Sequence, residues 1–456
     1  MLEDVHFILI WLMLPIMWYF LFRVAHLEFT KVSLPSFTIA IFFLLQYIGL
    51  PVLYFQFDIY RASIVNDKIL ILKVMLFTSV TITLMILGFI AANKQFGSLR
   101  WPVSMNVTFF SDSLKKLNWK NNRSLIGLFL LFIISFAVLI KYVSIIGFNN
   151  LAISFLLNSD LGLGAVARSN MGNAFQGGYH WYKLFMNDFL SFILFAFTSF
   201  YLINQSKKNK LILLYLFLVT AFVMVMSVQK APFGWLLIGM FLVYVTTKYD
   251  GDIPFLKSIY LILSLFLILV SFYIFIMGAD NIGQAITGVF SRATTGQIMP
   301  AYIYLEFFPK HKDFLLGQSF PNPGGIFPFD PYRLTVEIAN WFNPNLSKSG
   351  IVGSMPTLYW GEMYANFGVL GVIIPPFFVG YILYGLNAII FRLNKNPLSI
   401  SLLIWLIIHF KSLAMTGLSN FIFDHYFFGI VIVFLSISFF YGRGNIHFMK
   451  STKFTY

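Results

Sequence analysis

The segment from Gly353 to Gly368, GSMPTLYWGEMYANFG, combines one acidic side chain with the features of a helix. Its Ser-Met-Pro start is typical of a first helical turn, where serine caps the helix and proline is tolerated. On that helix Tyr359, Glu362 and Asn366 share a face, because they are spaced by three and four residues. Burial in such an apolar neighbourhood raises the pKa of a carboxyl group. The pattern indicates either a general acid or base at Glu362 or a carboxylate that pairs structurally with an arginine.

Single arginines in the long connections indicate sites for an anion, because the planar guanidinium binds phosphate in a bidentate way. Arg168 lies in GAVARSNMGNAFQGGYHW, where backbone amides of the Gly- and Asn-rich stretch could also bind an anion. Arg292 lies in VFSRATTGQ and Arg333 in FDPYRLTVEIANWF. Glu337 follows Arg333 by four residues, so the two would pair on a helix. We expect a functional role for Arg168 and Arg292, and either role for Arg333.

The composition restricts which elements can position these residues. Of the 456 residues, 59% are hydrophobic and 11% charged, whereas soluble domains contain about 25% charged residues. Such a chain cannot bury its apolar surface in a soluble core, which excludes soluble enzymes, nucleic-acid binders and disordered scaffolds. The absence of cysteine excludes disulfides and thiolate chemistry. We predict an all-α, polytopic membrane protein that forms one integral membrane domain over residues 1–456.

Eleven apolar runs are long enough to cross a bilayer as helices, for which about 17–25 residues are needed. They cover residues 5–22, 33–54, 69–92, 124–146, 184–203, 211–228, 231–247, 255–277, 367–391, 398–415 and 421–441. The segment 356–366 is a candidate for a half-helix that dips into the membrane.

The distribution of lysine and arginine predicts the orientation of these spans. Eighteen of the 31 basic residues lie in one set of alternate connections, residues 23–32, 93–123, 204–210, 248–257, 392–397 and 442–456. By the positive-inside rule this set is cytoplasmic, with 93–123 as its main loop. The N-terminus is then outside and the C-terminus inside. Two long connections, about 147–183 and 278–355, lie on the outer side, and loops of that length are usually functional.

Ionisable residues within the spans fall toward the predicted outer ends. They are Lys73, Lys141, Asp188, His409, Lys411 and Asp424, with Gln229 and Lys230 at the same level. Each could simply reach the interface, and Asp424 with His425 could cap the last helix. Together they indicate a cavity that opens to the outer side. No metal-site or nucleotide-binding motif occurs in the sequence, so we expect no metal and no ATP-driven transport.

The residues GSMPTLYWGEMYANFGVL and Gly371, in a multispanning chain whose two long outer loops hold isolated arginines, resemble a known family. They are similar to the Wzy-type O-antigen polymerases, which polymerise oligosaccharide repeat units. Some members carry a glycine eleven positions after an arginine. Here Tyr179 takes that position after Arg168, directly following Gly177 and Gly178.

The resemblance implies a GT-C-like glycosyltransferase of lipopolysaccharide biosynthesis in the bacterial inner membrane. Its donor and acceptor would be undecaprenyl-diphosphate-linked oligosaccharides on the periplasmic face. The growing glycan would leave its lipid diphosphate and join the non-reducing end of a new lipid-linked unit. No cofactor, metal or nucleic acid is implied, and a chain-length regulator and a flippase are the implied partners.

Roles for the candidate residues follow from this chemistry. A diphosphate that departs without a metal requires cations, and the outer-side candidates are Arg168, Arg292, Arg333, Lys230 and Lys411. Either Glu362 or His409 would activate the acceptor hydroxyl. The candidates for binding substrate are Tyr359, Asn366, Asp424 and His425.

Two alternatives remain open. An O-antigen ligase has a related architecture and typically places a histidine in its large outer loop, for which His311 in FPKHKDF is available. A flippase or polysaccharide transporter would perform no chemistry. A transporter would need polar residues through both leaflets, whereas the ionisable residues of this chain are predicted to lie in one.

Overall fold

A computed structural model describes residues 2–97, 123–157, 167–168, 170–172, 174–175, 178–275, 279–345, 353–393 and 395–441. Across these ranges the chain is helical and contains no strand, which confirms the all-α prediction. The same ranges contain eleven helices long and apolar enough to cross a membrane, the number that was predicted. They are Asp4–Val24, Leu34–Tyr54, Lys68–Phe96, Ser124–Ile146, Tyr179–Ile203, Lys207–Val225, Ala231–Lys248, Phe255–Ile274, Val369–Phe391, Pro397–Ala414 and Leu418–Phe439. The chain is a multi-pass membrane protein.

The fifth span begins earlier than its apolar run. Residues Tyr179–Lys183 form an α-helix, Leu184–Phe189 continue it as a π-helix, and Leu190–Ile203 complete it. The first turn, YHWYK, is too polar to be recognised as part of an apolar run. The helix nevertheless includes this turn. Its tyrosine and tryptophan rings suit the boundary between an apolar and an aqueous environment.

Short polar residues start several helices by satisfying backbone amides that have no helical partner. The side chain of Ser33 accepts a hydrogen bond from the amide of Ser36 (3.1 Å). Asp67 accepts from the amide of Ile69 (2.8 Å) at the start of Lys68–Phe96. Ser206 similarly begins Lys207–Val225.

One compact unit comprises Met1–Leu99, Asp280–Asn387 and His409–Asp424. Within it, Lys68–Phe96 and Val369–Phe391 approach each other with their backbones nearly in contact. A Cβ atom on Gly88 would lie 2.2 Å from the carbonyl oxygen of Phe377, and one on Gly380 would lie 2.1 Å from that of Met85. Glycine therefore permits this packing from both helices, as small residues do between membrane helices.

The same unit contains the long connection between the eighth and ninth spans. Its described part is largely ordered into helices Ile282–Thr294, Ile298–Phe307, Leu334–Phe342 and Tyr359–Phe367. Residues 346–352 of the predicted connection 278–355 lie outside the described residues. This connection supplies most of the candidate site below.

The second compact unit comprises Arg100–Ala279, Ala388–Ile408 and His425–Tyr456. Hydrogen bonds join its helices: Ser401 donates to the carbonyl oxygen of Phe192 (2.6 Å), and the indole of Trp405 donates to Asp188 (3.1 Å). Asp188, predicted as a charge within a span, therefore has a partner on another helix of the same unit.

Parts of the predicted topology fall outside the described residues. They include residues 98–122 of the loop 93–123, residues 158–166 of the connection 147–183, and the C-terminal residues 442–456. The described part of 147–183 includes the short helix Ala152–Leu157.

Candidate functional site

Glu362 lies in the first turn of the nine-residue helix Tyr359–Phe367. The Ser-Met-Pro pattern predicted that this helix begins at Ser354. Residues Ser354–Leu358 are not helical, so it begins later. Tertiary hydrogen bonds hold that stretch: the amide of Met355 donates to the carbonyl oxygen of Thr335 (2.9 Å), and the hydroxyl of Tyr304 donates to the carbonyl oxygen of Met355 (3.1 Å). The prediction of a helix start at Ser354 is therefore wrong by about one turn.

The carboxylate of Glu362 is buried and held by donors from two distant segments. Ser419 donates to it twice, from its hydroxyl to Oε1 (2.6 Å) and from its amide to Oε2 (2.9 Å). The hydroxyl of Ser319 also donates to Oε1 (3.1 Å). Asn366 in turn donates to the oxygen of Ser319 (2.7 Å). The orientation of the carboxylate is thus fixed by hydrogen bonds and not by packing alone.

Gly417 leaves the space that the carboxylate occupies. A Cβ atom at this position would lie 2.3 Å from Oε2 and 2.8 Å from Oε1 of Glu362. The backbone φ of Gly417 is −65°, which any residue can adopt. Glycine is therefore required here by the proximity of Glu362 and not by the backbone conformation.

Glu362 lines a cavity of about 410 Å³ formed wholly by residues of the first unit. This volume lies within the range of about 300–1,000 Å³ typical of small-molecule sites. Most of the polar side chains in its wall carry hydroxyl groups: Tyr304, Ser319, Tyr332, Thr335, Ser354, Thr357 and Ser419. Such a wall can exchange hydrogen bonds with a polyhydroxylated ligand.

Arg333 lines the same cavity. It precedes the helix Leu334–Phe342 and is not part of it, so the predicted helical pairing with Glu337 does not form. Both side chains are exposed. Among the described residues no hydrogen bond or ion pair engages the guanidinium of Arg333. The cavity therefore contains a cation whose donors are available to an anionic ligand.

Burial raises the pKa of the Glu362 carboxyl above its ordinary value, although the hydrogen bonds from Ser419 and Ser319 act in the opposite direction. Burial likewise raises the pKa of the Tyr304 phenol, which lines the same cavity. A carboxyl group with a raised pKa can accept or release a proton nearer to neutral pH. The wall thus combines a group suited to proton transfer with a cation.

Comparisons with models of known protein families, with characterised proteins and with solved structures found no match. The site is therefore interpreted from its own geometry.

The second predicted catalytic residue, His409, forms a pair with Asp424. Their Nε2 and Oδ2 atoms are 2.5 Å apart, and the Asp424 side chain is almost fully buried. The imidazole also packs against the ring of Phe421. Neither residue lines the cavity that contains Glu362. Asp424, predicted to bind substrate or to cap the last helix, directly precedes the helix His425–Ser436 and also pairs with His409.

Tyr359 and Asn366 share the helix of Glu362, as predicted, but neither lines the cavity. Tyr359 is fully buried and packs edge-on against Phe42. Asn366 donates to Ser319 and to the carbonyl oxygen of Glu362 (2.8 Å), and accepts from the amide of Gly317 (3.0 Å). It therefore positions Ser319 and is not placed to bind a ligand in this cavity.

Arg168 and Arg292, the two arginines for which a functional role was expected, do not line the cavity that contains Glu362. Arg168 is in the second unit, where Gln229 accepts hydrogen bonds from Nη2 (3.1 Å) and Nε (3.2 Å) when its amide oxygen faces the guanidinium. Arg292 is exposed near the end of Ile282–Thr294 and does not line the cavity. Residue type alone did not distinguish these two from Arg333.

Three further predicted residues, Lys411, His425 and His311, do not line the cavity either. Lys411 begins a short 3₁₀ helix, Lys411–Ala414. Lys230 begins Lys230–Lys248, and its side chain lies outside the described residues. His425 belongs to the second unit, where its ring lies 4.7 Å from that of His180. His311, the candidate of the ligase alternative, is exposed and packs against Trp341.

Several residues around the carboxylate, above all Ser319, Gly417 and Ser419, could not be identified from the sequence. Serine and glycine are too common to be noticed, and these residues lie more than forty positions from Glu362. An ion pair between the partly buried Arg61 and the buried Asp58 (3.0 Å), in a short connection, was not predicted either. Asp58 accepts further hydrogen bonds from the hydroxyls of Ser291 and Thr295.

The pair anchors the connection that contains Arg61 to the end of the helix Ile282–Thr294. Burial acts to raise the pKa of Asp58, but the hydrogen bonds from Thr295, Ser291 and Arg61 together outweigh it and hold the pKa below its ordinary value. Asp58 is therefore ionised at neutral pH. We assign it a structural role, since neither partner lines the cavity.

Proposed function

We propose that this chain is a glycosyltransferase that polymerises lipid-diphosphate-linked oligosaccharide repeat units. The observation that carries the proposal is the presence of Glu362 and Arg333 in the wall of one hydroxyl-rich cavity. The resemblance of the segment around Glu362 to the Wzy-type O-antigen polymerases supports the choice of substrate. The proposed location is the bacterial inner membrane.

The cavity would face the periplasm. The connection that holds Arg333 belongs to the set with fewer basic residues, which the positive-inside rule assigns to the outer side. Undecaprenyl-diphosphate-linked oligosaccharides would reach the cavity from the outer leaflet, and the lipid tail would remain among apolar helices.

The proposed step transfers the growing glycan to a hydroxyl of the incoming unit. The acceptor oxygen forms a bond to the anomeric carbon of the donor, and the bond from that carbon to the diphosphate oxygen breaks. Undecaprenyl diphosphate leaves with the electron pair, and Arg333 stabilises the charge that develops on it. The proton of the acceptor hydroxyl passes to Glu362, directly or through Ser319 or Ser419, which line the cavity and donate to Glu362.

Gel analysis of lipopolysaccharide tests the proposal directly. Cells that lack the gene should produce core with a single repeat in place of a ladder, and the wild-type gene should restore the ladder. The gene encoding Glu362→Gln should insert in the membrane normally and fail to restore it. A ladder restored fully by Glu362→Gln would refute the assigned role of the carboxylate.

The same gel separates the alternatives. Bare core without any repeat would indicate a ligase or a flippase and would overturn the polymerase. Lipid-linked single repeats should accumulate on the outer face in the absence of a polymerase, whereas without a flippase they stay inside. Labelling of these units with a membrane-impermeant reagent distinguishes the two positions.

A further inference from the structure

Residues 411–424 form a linking segment whose two ends lie together, and the whole segment belongs to the first unit. His409, in the last turn of the helix that precedes it, pairs with Asp424 at its end, with 2.5 Å between Nε2 and Oδ2. Next to this pair the rings of Phe410 and Phe421 stack, with centroids 5.5 Å apart. A polar pair and an aromatic pair therefore close the base of the segment.

The middle of the linking segment meets the proposed catalytic cavity. Ser419 donates from its hydroxyl to Oε1 of Glu362 (2.6 Å) and from its amide to Oε2 (2.9 Å). Asn420, the next residue, lines the cavity as well. The helix that carries Glu362 comes from a different part of the chain. The distance between Ser419 and the carboxylate therefore depends on how the linking segment is held.

The pair of His409 and Asp424 restricts the linking segment strongly, because the Asp424 side chain is almost fully buried. A buried carboxylate that loses its partner is strongly destabilising, so the pair favours one arrangement of the segment. Ser419 lies five positions before Asp424, and a displaced end of the segment would move it. Neither His409 nor Asp424 lines the cavity, so their effect on a ligand there has to pass through the segment.

We infer that His409 and Asp424 are positioning residues, which hold the linking segment so that both donors of Ser419 meet the Glu362 carboxylate. Their role in catalysis rests on the proposed function, whereas the coupling of the pair to the carboxylate does not.

The measurable consequence of the coupling concerns Glu362 itself. Hydrogen-bond donors to a carboxylate favour its ionised form, and both bonds from Ser419 lower the pKa of Glu362. Opening the base of the segment would release Ser419 and raise that pKa further. The other ionisable side chains in the cavity wall are Tyr304, Tyr332 and Arg333, and all three stay unchanged in the variants below.

Infrared titration of the full chain in lipid nanodiscs tests the coupling. The band of the protonated Glu362 carboxyl is assigned by its absence from Glu362→Gln. Asp424→Ala should move the midpoint of this titration upward by about one pH unit, as should Ser419→Ala, because each loses a donor to a charged group. The double variant should shift by less than the sum of the two, since Asp424 acts through Ser419. Asp424→Asn keeps an acceptor for His409 and should retain the wild-type midpoint.

Asp58→Ala is the matched control, because it removes another buried carboxylate from its partner in the same unit. It should lower the stability and leave the Glu362 midpoint unchanged. If Asp424→Ala does not fold, the double variant His409→Phe/Asp424→Leu leaves no unpaired charge and should move the midpoint in the same direction.

Two results would overturn the inference. One is an unchanged midpoint in the folded variant that lacks the pair, and the other is an equal shift in Asp58→Ala, which would indicate general loosening of the unit. Elongation of lipid-linked repeat units by the wild type is measured separately. A wild type that shows the coupling but elongates nothing would overturn the polymerase alone.

Discussion

The substitution Gly417→Ala provides the sharpest test of the site, because the structure separates its effect on space from its effect on the backbone. The φ of −65° suits alanine as well as glycine. The new methyl group would lie 2.3 Å from Oε2 of Glu362, whereas ordinary contact begins at 3.4 Å. The carboxylate therefore has to move by about 1 Å, the difference between these two distances.

That displacement sets the expected magnitude. A misplacement of about 1 Å can reduce catalysis about 100-fold. The hydrogen bonds from Ser419 and Ser319 are also strained, and overpacking of this kind typically costs about 1–3 kcal/mol of folding stability. We expect Gly417→Ala to elongate chains about 100 times more slowly than the wild type, with a modestly lower unfolding temperature.

The assay is the initial rate of elongation from purified lipid-linked repeat units in proteoliposomes, together with thermal unfolding of the same preparation. Gly234→Ala is the control, since its methyl group would meet nothing within 4 Å. In the double variant Gly417→Ala/Glu362→Asp the shorter side chain leaves room for the methyl group, so stability should recover while the rate stays low. An elongation rate of Gly417→Ala within two-fold of the wild type would show that the carboxylate position is irrelevant to the reaction.

Three further predictions concern charge. The folding stability of the wild type should fall as the pH rises from 4.5, the ordinary pKa of a glutamate, to the raised pKa of Glu362 in the folded state, because the unfolded chain releases its proton first. Glu362→Gln should abolish this fall. Denaturant unfolding at a series of pH values measures the effect. Arg333→Gln should raise the KM for the lipid-linked donor about ten-fold or more, whereas Arg292→Gln should leave this KM unchanged. An equal change of KM in the two variants would show that Arg333 does not form the anion site. Asp58→Ala should lower the free energy of unfolding by about 3–5 kcal/mol, because the largely buried Arg61 loses its carboxylate, with the exposed Asp313→Ala as the control. The stabilisation by Asp58 is present above the ordinary carboxyl pKa and disappears as the pH falls through its lowered folded value.

The spans could be predicted from the sequence because their cause is local. A bilayer requires a fixed length of apolar helix, and that length can be counted. The exception is the fifth span, where the first turn, Tyr179–Lys183, is polar. Hydropathy does not detect a turn of this kind, although its backbone continues the helix.

The centre of the site could be predicted only in part. Glu362 was identified because it is a lone acid on a helix face, and its burial confirms the local interpretation. Arg333 could not be ranked above Arg168 and Arg292, since the three are chemically identical and only tertiary packing places one of them in the wall of the cavity that Glu362 lines. His409 and Asp424 were assigned separate roles because their pairing across fifteen positions depends on a turn between two spans.

The reciprocal approach of Gly88 and Gly380 has a consequence for how the proposed enzyme would exchange substrates. Two helices whose backbones pack closely at two points cannot slide past each other without steric collision, so this pair should move as one rigid body. The helix that contains Glu362 is followed directly by one member of that pair, Val369–Phe391. In the proposed polymerase, the growing glycan must enter and leave the cavity through a part of the chain that can move. We therefore expect the gating motion near the exposed Arg333, with the carboxylate held in place by Ser319 and Ser419 through each cycle of the proposed elongation.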